Sequence, residues 1–445
     1  MKRIICLFML IAAFTLISCQ KDSPIINPVI KIEIEGYSSN DDISLPQDDT
    51  LKLRAMGVNL DEHMASWKIN GTVVSNDNEY KFTSSQVGEY NITLVVSNKT
   101  DEGSASALIT VNVYGKYRNG TIILNEGNMT SENGSLIFIS PKGVVTDSVY
   151  WRVNNSFLGN TAQDLYIANK KIYIICQNGT SMGGDGMLIV ANSETLKREA
   201  LYTAELTSKL SWPTHIAVIG TNAYIRDNKG VYHFNLSTKE LQFVEGSGGA
   251  AKNRMAVVGD KVFVPAGKNI LVIKDKAVIH TIVMNGSISG VINSYDNNLW
   301  VSCTTNPAQI NKISSSDYSI IKTNETAEAK IGAGWGATPG ISAKGDTLYF
   351  SNASTKIYRH IFSQNKTDYM TDVKDHIENA GIVYNNLAVH PKTGEVYFNT
   401  IKGYGLNYLI NNITVFDFTS ATPVLKANYA NYTHFPAGIF FTYSY

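Results

Sequence analysis

The chain has 445 residues, with 38 Lys and Arg against 38 Asp and Glu, so its formal charge is zero. A protein built to grip nucleic acid or an acidic polymer needs a net basic field, and this chain has neither that field nor a basic run with interleaved aromatics. Its 24 Tyr against only 11 Pro suit a strand-rich folded protein rather than a disordered one, and the length allows more than one core.

At the N-terminus Lys2-Arg3 forms a short cationic head, and Ile4 to Ile17 is an apolar stretch too short to span a bilayer comfortably. Leu16-Ile17-Ser18-Cys19 at its end resembles a bacterial lipobox. The resemblance implies a signal peptide over residues 1–18 and lipidation of Cys19, where several acyl chains make an anchor stable that one chain would not. Gln20-Lys21-Asp22 is similar to the Lys-plus-acid signal that sends lipoproteins of Bacteroidetes-type bacteria to the outer face of the outer membrane. Residues 19–27 are therefore expected to be a lipid-anchored linker, and the protein to face the cell exterior, touching the membrane through the anchor alone.

Residues 28–115 alternate in short strands, Val29 to Ile34, Thr50 to Arg54, Ala65 to Ile69, Glu79 to Phe82, Gly88 to Ser97 and Ala105 to Val113, a spacing that predicts a β-sandwich. Trp67-Lys68-Ile69-Asn70-Gly71, Tyr80-Lys81-Phe82 and Gly88-Glu89-Tyr90 through Val96 resemble the PKD-type immunoglobulin-like modules of bacterial surface proteins. The resemblance implies a spacer in which Trp67 packs the core and Tyr90 anchors a sheet corner.

Residues 116–445 carry one phrase about seven times, an apolar strand, a turn and a second strand rich in Tyr, Val and Ile. The copies open at Gln163-Asp164-Leu165, Thr214-His215-Ile216, Asn253-Arg254-Met255, Ser289-Gly290-Val291, Pro339-Gly340-Ile341, Asn386-Leu387-Ala388 and Pro436-Ala437-Gly438. Strand pairs repeating roughly every 35 to 50 residues predict a β-propeller. The last copy has no partner strand after it, while Thr121 to Leu124, Ser135 to Ile139 and Val144 to Val149 read as three strands with no inner strand before them. The expected fold class is thus all-β, with the sandwich followed by a seven-bladed propeller whose first blade is completed by the C-terminal strand Gly438 to Tyr443, hiding edges that would invite aggregation.

Ile123 to Asn128, Asn133 to Leu136 and Asn154 to Asp164 resemble the opening of the YncE-like surface propellers of gut Bacteroidetes, a group that includes the BtuG corrinoid-binding lipoproteins. The resemblance covers most of residues 118–445. It implies a small-molecule ligand, cobalamin or another corrinoid or a similar nutrient, and a TonB-dependent outer-membrane transporter as partner. Asn125-Glu126-Gly127-Asn128 itself has the chemistry of a tight turn whose side chains satisfy loop amides.

Ligand sites in propellers gather where inner strands begin. Those positions here include Asp164, His215, Arg254, Ser289, Pro339 and Asn386, with Trp212, Trp335 and His434 on the approaches. Tyr404 lies in an aromatic loop over Ile401–Asn412, and a Gly-rich stretch over Asn178–Gly186 is expected to be a mobile rim. Mixed charge with aromatic faces suits a large neutral or zwitterionic ligand held by stacking and hydrogen bonds. The ligand-binding candidates are therefore Asp164, His215, Arg254, Trp335, Asn386 and Tyr404. Asp164 is the only clear carboxylate among the inner-strand starts and no GxSxG elbow occurs, so binding without catalysis, metal or cofactor is expected, with surface adhesion as the alternative. Cys176 and Cys303 are expected to be buried free thiols.

Overall fold

The computed structural model describes residues 29–38, 42–58, 63–98, 103–327, 329–332, 337–420 and 422–443. The expected signal peptide, Cys19 with its linker, and Trp335 lie outside the described residues. The chain divides into two compact units, Met1–Tyr114 and Gly115–Tyr445.

The first unit holds two sheets. Val29–Ile34, Leu51–Val58 and Glu79–Phe82 form one, and Ser44–Pro46, Ser104–Tyr114, Gly88–Asn98, His63–Ile69 and Thr72–Ser75 form the other. Alternate residues point inward, as the two-residue period of a strand requires, so Leu51, Leu53, Trp67, Phe82, Ile92, Leu94, Val96, Val111 and Val113 close the core. Trp67 is fully buried, and its indole N–H donates to the Asp77 carbonyl at 2.8 Å. The Tyr90 hydroxyl donates to the Gln86 carbonyl four residues upstream at 3.1 Å, tying the chain at a corner. Ser44–Pro46 and Thr72–Ser75 are strands the sequence reading did not mark; they are short edge strands, formed by pairing rather than by a hydrophobic run of their own.

Among its described residues the second unit contains seven four-stranded sheets. Their first strands in sheet order are Pro436–Phe441, Ala162–Ala168, His215–Ile219, Ala256–Val258, Ile288–Asn293, Ile341–Lys344 and Ile382–Val389, and the sheets are numbered one to seven accordingly. In sheet one Pro436–Phe441 pairs with Thr121–Asn125, so a single sheet joins the two ends of the unit. Each first strand lies against that of the next sheet, and the strand of sheet seven returns to Pro436–Phe441. A second strand such as Val396–Ile401 is buried throughout, whereas a fourth strand such as Val424–Ala430 alternates between half-buried and exposed. Apolar clusters fill the spaces between neighbouring sheets, one of them combining Leu124 and Phe138 of sheet one with Leu165 and Ile174 of sheet two.

One expected strand is different. Only Val145–Thr146 of the stretch Val144 to Val149 pairs in the sheet, and Val149–Asn154 is a short helix. Packing decides this: Val149 and Tyr150 are buried in the apolar cluster between sheets one and two, and the Asn154 amide donates to the carbonyls of Tyr150 and Leu196. Leu158 fills the same cluster. Cys176 and Cys303 are free and buried.

Candidate ligand-binding site

Loops between second and third strands, together with the approaches to first strands, meet on one face of the second unit. Asn125-Glu126-Gly127-Asn128 organises it. The amides of Glu126 and Gly127 donate to the carbonyls of Phe435 and His434 at 2.7 and 3.0 Å, binding the turn to the approach of the C-terminal strand. Gly127 has a φ of 75°, and a Cβ there would fall 2.3 Å from the Asn133 carbonyl oxygen, so both conformation and space demand glycine. Asn160, fully buried, donates to the carbonyls of Asn128 and Glu132 and accepts from the Asn178 amide at 2.8 Å. The motif residues thus interlock the loops of sheets one and two.

Over the channel end the polar residues bind one another. Arg254 donates from Nε to Asp164 Oδ1 at 3.0 Å, and Asp164 Oδ2 accepts the Ile216 amide at 3.3 Å. His215 is hydrogen-bonded through Nε2 to the Ala337 carbonyl at 2.9 Å and through Nδ1 to the Thr214 hydroxyl at 3.0 Å. Burial and the nearby Arg254 charge hold its pKa well below the usual histidine range, so the ring is neutral and Nε2–H is the donor. Asn385 accepts the Ala337 amide through its side-chain oxygen and donates to Glu126 Oε1 at 3.4 Å. Glu126 also accepts from the Tyr384 hydroxyl at 3.0 Å; burial pushes its carboxyl up to about 7, against the opposing pull of Lys252. These bonds run from sheet three to the approach of sheet six, on to sheet seven and to sheet one. Burial also raises the Asp164 carboxyl above its ordinary range, with Arg254 acting the other way.

The structure therefore brings Asp164, His215 and Arg254 together, but Asp164 and His215 are 2% and 1% exposed and engaged internally, not presented at an open mouth. Asn386 is fully buried, and its amide group has no hydrogen-bond partner among the described residues. Tyr404 stands on the rim, 51% exposed. Sequence reasoning missed Glu132, Tyr384 and Asn385; it signalled Glu126 through its turn motif, Tyr408 through its aromatic loop and His434 as an approach residue.

Beside this closed belt lies an open groove of about 440 Å³, lined by Glu132, Asn133, Asp147, Phe157, Met182 and His434 among others. His434 Nδ1 meets Glu132 Oε2 at 2.8 Å, and the Tyr408 hydroxyl donates to Glu132 Oε1 at 2.8 Å. Tyr408 is itself stacked on Phe435, with ring centroids 4.3 Å apart. Phe157 and Met182 are 52% and 40% exposed on the groove, and Leu406 is 83% exposed in the loop that carries Tyr404 and Tyr408. That loop divides its labour, for Gly405–Leu409 is a 3-10 turn that buries Tyr408 and leaves Leu406 outside.

The Gly-rich stretch, expected to be a mobile rim, is tied down. Asp185 accepts from Tyr150, Ser156 and Arg198, and the Met182 carbonyl accepts from the Asn133 amide at 3.0 Å. Its glycines serve close approach: a Cβ at Gly184 would sit 1.9 Å from the Leu158 carbonyl oxygen. The site thus offers partly exposed apolar faces beside two carboxylates, an imidazole and an amide, chemistry for holding a large ligand by contact and hydrogen bonds.

Fold and site together define a protein in which a PKD-like module precedes a β-propeller-like unit. The chain belongs to the family described as domain of unknown function (DUF5074), which matches residues 119–442, and residues 47–98 match the PKD-like domain. Among solved structures it is similar to a quinonprotein alcohol dehydrogenase-like protein from Bacteroides thetaiotaomicron VPI-5482, at 14% identity and a TM-score of 0.53, over 93% of this chain and 99% of that one. At this identity the likeness concerns the fold. A dihydro-heme d1 dehydrogenase, NirN, in complex with DHE aligns over 74% of this chain and 76% of its own, at 10% identity and a TM-score of 0.44. No curated relative matches the chain.

Proposed function

We propose that the chain is a surface-anchored protein that binds a ligand without catalysis: a PKD-like module carrying a seven-bladed β-propeller of the YncE-like type, closed by its own C-terminal strand and akin to the BtuG group. Closure is supported by the pairing of Pro436–Phe441 with Thr121–Asn125 and by the cycle of contacts among the seven first strands. The lipobox-like Leu16-Ile17-Ser18-Cys19 supports anchoring in the outer membrane, facing the exterior.

One observation carries the binding reading, the groove in which half-exposed Phe157 and Met182 flank the Glu132–His434 pair. Apolar side chains left exposed around polar groups that are already held in place form a surface prepared for contact. The ligand is a corrinoid or a nutrient of similar size and polarity, passed to a TonB-dependent transporter. Titration of cyanocobalamin and dicyanocobinamide into the full chain, followed by absorbance and calorimetry, tests this. Saturable binding is expected, with Phe157→Ala and Met182→Ala each weakening it by about 1–3 kcal/mol. Silence across both compounds rejects the corrinoid, and binding that survives both substitutions unchanged rejects the groove. The far-projecting Leu406 favours a second reading, adhesion to a protein surface, which corrinoid silence would leave standing.

A further inference from the structure

The channel between the seven first strands holds a second cavity, of about 450 Å³. Its lining runs from Asp164, Arg254 and Pro339 near the starts of these strands to Ile167, Asn293 and Phe441 toward their ends. The belt of hydrogen bonds from His215 through Ala337 and Asn385 to Glu126 lies across the starting ends. The belt crosses that end, and at the other end, away from the groove, the lining reaches the exposed Asn293. Its walls carry apolar side chains only partly covered by the protein, including Ile167, Val257, Ile292, Phe440 and Phe441.

Arg254 lines the belt end of the cavity, held by an aromatic ring and an ion pair. Its guanidinium lies over the Phe440 ring, 4.4 Å from the centroid, while Nε is bonded to Asp164. Both Asp164 oxygens are engaged in turn, one by Arg254 and the other by the Ile216 amide. Of the five N–H donors of a guanidinium, Nε is committed, Nη2 reaches the Ala437 carbonyl only at 3.5 Å, and Nη1 has no hydrogen-bond partner among the described residues. The fold makes room for this arrangement: a Cβ on Gly438 would fall 1.9 Å from Arg254 Nη2, so glycine at this point of the strand is what lets the guanidinium lie flat. A planar donor edge held by packing and an ion pair, at the belt end of a slim apolar-walled channel, matches a carboxylate bonded to two nitrogens with a hydrocarbon body behind it.

We infer that the channel is a binding site for a slim monocarboxylate, its head on the outer edge of Arg254 and its apolar body along Ile167, Val257, Ile292 and Phe441. The site is separate from the groove and stands or falls independently of the groove's ligand. It is tested on the purified full chain by calorimetric titration of octanoate, with octanol and octylamine as head-group controls. Octanoate should bind saturably, and both controls should bind at least about tenfold more weakly. Arg254→Gln should reduce octanoate affinity by at least about tenfold. Because that change also unpairs a buried carboxylate and can damage the fold, Asn293→Trp decides independently. Asn293 is exposed at the mouth of the channel, so an indole there blocks entry and leaves the ion pair intact. A folded Asn293→Trp protein should lose octanoate binding while its response to cyanocobalamin equals that of the parent. The proposal is overturned if octanoate gives no saturable heat with the folded parent, if octanol binds as well as octanoate, or if folded Asn293→Trp binds octanoate with unchanged affinity.

Discussion

Glu126 shows how one side chain can be both a scaffold part and a liability. Its carboxyl titrates in the unfolded chain near 4.5 and in the folded protein at about 7, chiefly because it is desolvated. The folded state therefore holds a proton that the unfolded state has released at any pH between those values, and stability falls as pH rises through that window. The stabilisation is fully present below about 4.5 and is lost above about 7; at 1.36 kcal/mol for each unit of pKa, it amounts to roughly 3 kcal/mol at most. Glu126→Gln keeps an acceptor for Tyr384 and removes the ionisation. In denaturant melts the variant should match the parent near pH 4.5 and exceed it at pH 8, and equal stabilities at pH 8 would show that the parent carboxylate is not strained by burial. Burial raises the Asp164 carboxyl in the same direction, with the Arg254 charge and the Ile216 amide opposing it.

At the scale of elements, the loop Tyr404 to Leu409 separates what folds from what binds. Tyr408 is buried, stacks on Phe435 and donates to Glu132, so Tyr408→Ala removes aromatic packing and leaves a carboxylate short of a donor. A loss of about 3–5 kcal/mol in unfolding free energy is expected. Leu406 touches solvent over 83% of its surface, and Leu406→Ser should leave stability within about 0.5 kcal/mol. Chemical denaturation of the two variants checks the contrast; similar losses in both would mean that the loop packs as a whole. The helix Val149–Asn154 carries a related lesson. Val and Tyr favour strands locally, yet burial of Val149 and Tyr150 against neighbouring sheets selects a helical turn that no local periodicity announces.

On the scale of the whole molecule, Pro436–Phe441 is the element with the greatest leverage. It is the first strand of sheet one, pairs with Thr121–Asn125, and lies against the first strands of sheets two and seven. A chain ending at residue 435 would leave Thr121–Asn125 with an unpaired edge and strip Ala437, Ile439 and Phe440 from two apolar clusters. It should lose its cooperative thermal transition or aggregate on expression. A truncated protein melting at the parent midpoint, followed by calorimetry, would show that the second unit does not depend on this strand.

The sequence alone carried the repeat. Strand residues must alternate or run apolar to be buried, and turns need Gly, Asn and Asp, so seven copies of one phrase were legible, as were Trp67 and Tyr90 in the first unit. It also marked the turn Asn125 to Asn128, because Gly127 answers a local backbone demand. Which polar side chains face each other was not legible. Asp164 and Arg254 are 90 residues apart and Tyr408 and Glu132 are 276 apart, and such pairs have no spacing rule. Position at a strand start suggested that Asp164, His215 and Arg254 face a ligand; only the tertiary structure decided that Asp164 and His215 are spent on internal bonds while Arg254 lines the cavity between the first strands. The reason is physical: periodicity records which face of an element is buried, whereas the partner of a buried charge is set by where the chain returns in space.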